Sequence, residues 1–267
     1  MLDNISKIYF SATGQTEKCV NFLANELSKL LNFKVEDFNF TKPADRKNFP
    51  KIKNSLVILA TPVYAGRVPN LLLKYLENFN CENSVGITLV TFGNRAYDDA
   101  LIELTKIEEK SIPTIASCAI CCEHSFSNTL GKNRPDEKDF LQMKNFAKKI
   151  AEKIKNKNFK EINVKGNIPF RNYMKPTDSK GNTFNFKDVK VKTNLNLCID
   201  CKICAKNCPL GTIDFDDVSI VKKCMKCNSC VKKCPTGAKY FDDENYLHHK
   251  KEIEEMYKSY KKSEYFL

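Results

Sequence analysis

The sequence predicts an α/β protein in two parts. The first is a doubly wound, five-stranded parallel sheet with helices on both faces, and the second is a small α+β module built around cysteines. Three observations predict this. Apolar strand-type runs alternate with helical stretches over the first 155 residues, and the first strand ends in a loop of hydroxyl residues with one glycine. Eight of the 13 cysteines then crowd between 198 and 234, in two copies of one pattern. A chain of 267 residues with a hydrophobic share of 42 % has room and core material for a domain of ordinary size plus a small one.

The first strand runs from Ile5 to Phe10 and stops at Ser11-Ala12-Thr13-Gly14-Gln15-Thr16. Val20, Leu23, Ala24, Leu27, Leu30 and Leu31 then recur at helical spacing. Phe33 to Phe38 is the second strand, and Ser55 to Thr61 a buried third. Pro69 suits the first position of a helix carrying Leu71, Leu72, Tyr75 and Leu76. Ser84 to Thr91 is the fourth strand, Ala96 to Glu109 a helix, Ile112 to Cys121 the fifth strand and Asp136 to Lys155 the closing helix. These elements make residues 1–155 one domain.

From 156 to 193 the periodicity fades, interrupted by Gly166, Pro169, Pro176 and Gly181. Phe170, Tyr173, Phe184 and Phe186 make the stretch too aromatic for a free coil, so an ordered connector is expected. The cysteine module occupies 194–242. The tail, 243–267, reads as a helix whose stripe of Tyr246, Ile253, Met256, Tyr257 and Tyr260 packs on the core or against a partner or second copy.

A strand that ends in hydroxyls and glycine and then opens a helix is a phosphate cradle: free N–H groups and the positive end of the helix dipole face the anion. Ser11, Thr13 and Thr16 add side-chain donors, and the missing lysine excludes the nucleotide P-loop. With every Ser/Thr-x-Thr-Gly-x-Thr position filled, residues 11–16 resemble the FMN-phosphate loop of flavodoxins. In that strand order ligands sit at the carboxyl ends of the strands. The resemblance implies two further contacts. The loop Thr61-Pro62-Val63-Tyr64-Ala65-Gly66-Arg67 would stack Tyr64 on the flavin ring, with a peptide beside Gly66 free to flip towards flavin N5. Thr91-Phe92-Gly93-Asn94-Arg95-Ala96-Tyr97 would read the pyrimidine edge, with Phe92 or Tyr97 over the other ring face.

The cysteine runs read Cys198-x2-Cys201-x2-Cys204-x3-Cys208-Pro209 and Cys224-x2-Cys227-x2-Cys230-x3-Cys234-Pro235. Three thiolates two residues apart wrap three corners of a cubane; a fourth from the same loop would strain it, and the proline stops the next helix from absorbing the turn. Zinc has no use for the third cysteine or the prolines. The pattern is that of bacterial-type two-cluster ferredoxins, which implies one 4Fe-4S cluster on Cys198, Cys201, Cys204 and Cys234 and another on Cys224, Cys227, Cys230 and Cys208. The whole chain, apart from connector and tail, resembles flavodoxin-ferredoxin fusion proteins of anaerobic prokaryotes. That implies an electron-transfer iron-sulfur flavoprotein. The alternative is a flavin-dependent reductase of a small molecule, with His124 and Arg67 as candidate catalytic residues.

The remaining cysteines, Cys19, Cys81, Cys118, Cys121 and Cys122, are unpaired in number, as expected of a reducing, cytoplasmic setting. Strand alternation puts Cys118 and Cys122 on one face and Cys121 on the other, so buried thiols are expected rather than a metal site. No apolar run approaches the roughly 20 residues of a membrane span, and strand character by Ile8 leaves no room for a signal peptide. The net charge is +12, but only five of 44 basic residues are arginine, which argues for a lysine-rich surface and against a nucleic-acid groove. Lysines beside the cysteines suit acidic one-electron carriers as redox partners. There is no nicotinamide fingerprint.

Overall fold

A computed structural model describes residues 2–267. Its centre is a sheet of six strands: β1 (Asn4–Tyr9), β2 (Lys34–Asn39), β4 (Ser55–Pro62), β6 (Val85–Phe92), β7 (Thr114–Cys121) and β10 (Glu264–Phe266). A side pairing joins β3 (Ile52–Lys53) to β5 (Cys81–Glu82). The strand order is β2-β1-β4-β6-β7-β10, and the first five are parallel. Counting only those five, the order is 2-1-3-4-5, the flavodoxin-like arrangement.

Alternation along the strands feeds two cores. Ile8, Val57, Leu59 and Val90 pack with Leu72 and Leu76 of α2 (Asn70–Leu76) and Leu101 and Leu104 of α3 (Ala100–Glu108). Ile5, Leu56, Ile58, Ile87 and Leu89 pack with Leu23 and Leu27 of α1 (Gln15–Leu31) and Phe146 and Ile150 of α4 (Glu137–Lys155). Both faces are covered, which is why β6 and β7 are buried at every position and read as continuous apolar runs. The start of α4 is fixed by a capping box of Asp136 and Asp139.

The tail departs from expectation. Its helix, α7 (Glu244–Met256), ends early, and the chain returns as β10, antiparallel to β7 with Tyr265 opposite Cys118. Five parallel strands thus gain an antiparallel sixth. The Tyr265 ring lies 5.0 Å from Phe146, so edge hydrogen bonds and aromatic packing together seat a strand too short to signal itself.

The cysteine module has small elements: β8 (Lys192–Thr193), α5 (Ile203–Lys206), α6 (Ser229–Lys232) and β9 (Lys239–Tyr240). β9 pairs with β8, upstream of both runs, while a separate bridge joins Ile213 to Val221 between them. The internal repeat is written in the backbone. Asp200 and Lys202 in the first run, and Lys226 and Asn228 in the second, all have positive φ; so do Gly211 and Gly237 after the two prolines. Each loop therefore bends around its middle cysteine in the same way.

Candidate functional site

The module brings one cysteine of the first run to three of the second. Cys208, Cys224, Cys227 and Cys230 line a single cavity, which Val191, Ile213 and Phe241 help to wall. Burial, then the neighbouring Cys224 and Cys208, pushes the Cys227 thiol up to about 12. Burial, then Cys227 and Cys224, pushes Cys230 up as well. An electropositive metal group is what would make such thiols ionise. In the other set Cys204 is buried, Cys198 half-buried and Cys201 exposed. Cys208 and Cys234 are matched in their surroundings, each with a threonine hydroxyl, Thr212 or Thr236, 3.7 Å from its sulfur. Among the described residues no three Cys, His, Asp or Glu side chains gather tightly enough for a single ion. Zinc at 2.3 Å would hold its thiolates about 3.8 Å apart. A cubane's own body separates its ligands, so it does not require thiols gathered that tightly.

The carboxyl edge of the sheet carries the three loops, and each is braced from outside. In the first, Gly14 caps α1 with a left-handed φ of 93°, open space beside it and no side-chain cap. The helix start is thus left to an anion. The Ser11 hydroxyl accepts the Glu17 N–H at 3.0 Å and keeps its own proton to donate. Thr16 is a strut: its hydroxyl meets that of Thr91 at 2.8 Å, tying the first loop to the third. Thr61 Oγ1 is buried without a partner, its hydroxyl proton left to donate. A flavin phosphate therefore fits this cradle.

In the second loop Tyr64 and Arg67 close a tight turn on each other through backbone bonds of 3.0 and 3.1 Å, with Ala65 and Gly66 both left-handed. Val63 N–H donates to Thr91 O, which keeps Pro62 and Val63 in line with β4. The Ala65 carbonyl accepts the Met174 N–H at 2.9 Å and the Gly66 carbonyl the Asp99 N–H at 3.1 Å. The expected cheap peptide flip would break one of these bonds, so glycine alone does not make it free. Tyr64 is half-buried, its phenol pushed up by burial and then by Cys227.

In the third loop Phe92 and Tyr97 are buried against each other at 5.6 Å and belong to the core, rather than standing free to cover a ring. His124 fills the space that Gly93 leaves open. Asn94 is 4 % exposed and held by the tail: its amide donates to the carbonyls of Tyr257 and Ser259 at 2.6 and 3.0 Å.

Two expected catalytic residues are otherwise engaged. Arg67 forks onto Glu103 of α3 with two bonds of 2.7 Å, donates to the Arg171 carbonyl and lies over the rings of Phe170 and Tyr173. Three of its five N–H donors are thereby committed away from the flavin edge. Burial, then His249, Lys232 and Arg95, holds the His124 imidazole down to about 4. Its Nδ1 accepts the Phe126 N–H at 3.1 Å, so at neutral pH it is the uncharged imidazole with its one proton on Nε2. Cys118 and Cys122 do share one core and Cys121 the other.

The module is seated on this same edge. Ser229 Oγ donates to the Ala12 carbonyl at 2.6 Å, and Cys227 packs in the cluster that holds Ala12, Phe92 and Tyr97. Lys232 reaches Glu123 at 2.6 Å and Asn128 at 2.8 Å, and Arg46 donates to Pro209 O at 2.6 Å. Ser229, Asp99, Glu103 and the tail carbonyls escaped sequence reasoning, since each works through a partner far away in the chain. The Tyr257 and Tyr260 stripe was the one available hint.

Residues 219–240 match the 4Fe-4S binding domain family, and the C-terminal part of the chain carries that domain. No curated protein matches the chain. Among solved structures it is similar to a flavodoxin from Streptococcus pneumonia TIGR4, at 20 % identity over 56 % of this chain and 99 % of that one, with a TM-score of 0.39. Fusobacterium nucleatum flavodoxin bound to flavin mononucleotide is 18 % identical over 60 % of this chain and 100 % of that one, TM-score 0.37. Rubredoxin oxygen:oxidoreductase from the anaerobe Desulfovibrio gigas is 17 % identical over 58 % of this chain, with a TM-score of 0.39; only 36 % of its own length is covered.

Proposed function

We propose that the protein is an electron carrier that passes electrons between two 4Fe-4S clusters and one FMN. The observation that carries this reading is the place of Cys227 in the apolar cluster against which Tyr64 packs, with Ser229 bonded to Ala12. One cysteine of the inner set thereby meets two of the three loops expected to hold the flavin.

Cys224, Cys227, Cys230 and Cys208 would hold the inner cluster, and Cys198, Cys201, Cys204 and Cys234 the outer one. Gly14, Thr13, Ser11 and the start of α1 would hold the phosphate. FMN supplies one- or two-electron chemistry and each cluster one-electron chemistry, so the pair converts between the two. The chain's own part is to hold these groups within a fixed distance and keep water out. Val191, Ile213 and Phe241 shield the inner thiols, and Lys232 and Arg46 lock the module to the sheet. Cys201 is exposed, so carriers would meet the outer set.

An open cleft bounded by Phe92, Tyr97 and the tail favours a second reading, a flavin-dependent reductase of a small molecule.

The test is composition. Anaerobically purified protein should hold about eight iron atoms and one FMN per chain. Thr13→Ala, which removes one charge-assisted phosphate bond, should weaken FMN about tenfold or more. Full flavin retention in that variant would move the phosphate elsewhere, and zinc in place of iron would end the cluster assignment.

A further inference from the structure

The cleft beside the third loop has a volume of about 390 Å³ and opens to solvent. Its walls come from three separate places: Phe92 to Asp99 of the third loop, Lys165 to Arg171 of the connector and Lys261 to Glu264 of the tail. None of the eight cluster cysteines lines it, and neither do residues 11–16 or 61–67.

Its charges do not balance. Five cationic side chains line it against three carboxylates, and the carboxylates are already satisfied. Asp98 takes both terminal nitrogens of Arg95 at 2.6 and 2.7 Å. Asp99 is 1 % exposed and accepts the Asn167 N–H at 3.0 Å, the Asn167 amide at 2.8 Å and the Arg171 N–H at 2.7 Å. Glu264 pairs with Lys165. Lys261 and Lys262 form no ion pair among the described residues, and the Arg171 guanidinium stands 3.9 Å from Asp98, a carboxylate already held by Arg95. Arg95 Nε is buried with no acceptor at all. A concave site with surplus donors and an unpaired buried N–H lacks anionic oxygens, which a ligand would bring.

We propose that this cleft binds a small organic dianion, its acidic groups held by Lys261, Lys262 and Arg171 and its carbon body against the third loop. The space is of the size that takes small-molecule ligands and is larger than an inorganic anion fills. Ala96 and the small exposed parts of Phe92 and Tyr97 line its third-loop side. The site goes beyond the electron-carrier reading and needs no flavin, so the two stand or fall separately.

Calorimetric titration of the full, cluster-loaded chain with phthalate tests it, with benzamide and inorganic phosphate as comparisons. Phthalate should bind at one site per chain, benzamide not at all and phosphate more weakly. Lys261→Ala with Lys262→Ala should weaken phthalate by roughly fivefold per lysine. Lys148→Ala with Lys149→Ala, on the exposed face of α4, should leave it unchanged. No saturable binding of phthalate, equal loss in both double variants, or phosphate binding as tightly as phthalate would each overturn the proposal.

Discussion

In the parallel sheet, β6 and β7 bury all eight of their positions between two apolar cores. In the cysteine module, α5 and α6 are four residues each, β8 and β9 two, and Leu195, Ile199 and Phe215 stand more than half exposed. Two of the eight buried residues in its core cluster are themselves cysteines. The sheet can form by burying apolar area alone, whereas a module this small needs a cross-link, and its cysteines are where that link belongs.

Iron removal should therefore separate the two most sharply. In the presence of chelator, amide exchange should speed by orders of magnitude over residues 194–242 and stay slow in β1, β4, β6 and β7. A module that remained protected without iron would erase the distinction. Within the module, Cys208→Ser and Cys227→Ser should each lower iron from about eight to about four atoms per chain, and the double variant should go no lower, because in the proposed assignment both thiols serve one cluster. Loss of both clusters in the double variant would mean the fourth ligands are not exchanged.

On the sheet side, Arg67→Ala should cost about 3–5 kcal/mol in urea unfolding, because it strands the Glu103 carboxylate, 4 % exposed, without its partner. The flavin midpoint should not move; a shift would return Arg67 to the ring. The smallest effect is on pH. The folded His124 imidazole is held to about 4, below its unfolded value, so folding favours the neutral form. Its stabilisation is complete above pH 6.5 and is lost as pH falls to 4 and below. His124→Asn should flatten that acid limb by about 3 kcal/mol, read from unfolding midpoints between pH 7 and 4.

Much of this was legible. The strand and helix order of residues 4–155 follows from period and capping, because parallel strands covered on both faces must be apolar throughout. Boundaries moved by a few residues; the helix expected from Ala96 begins at Ala100, since 93–99 are turned outward to meet the connector and tail. The cysteine spacing announced its chemistry because cluster geometry constrains neighbours in the chain. Thr16, Arg67 and Phe92 were readable as residue types suited to a flavin, but not as the strut, ion pair and core packing that they make, since Thr91, Glu103 and Tyr97 are chosen by the fold.

By itself, then, the sequence determined what is local: the two repeated thiol loops, the hydroxyl-rich start of α1 and the alternation that builds the sheet. Only the tertiary structure decided that the tail adds a sixth strand, that Cys227 joins the apolar cluster on which Tyr64 packs, and that connector and tail close a cationic cleft over the third loop. Each of these joins residues far apart in the chain. Such contacts depend on where whole elements come to rest, and a pattern of neighbouring residues does not encode that.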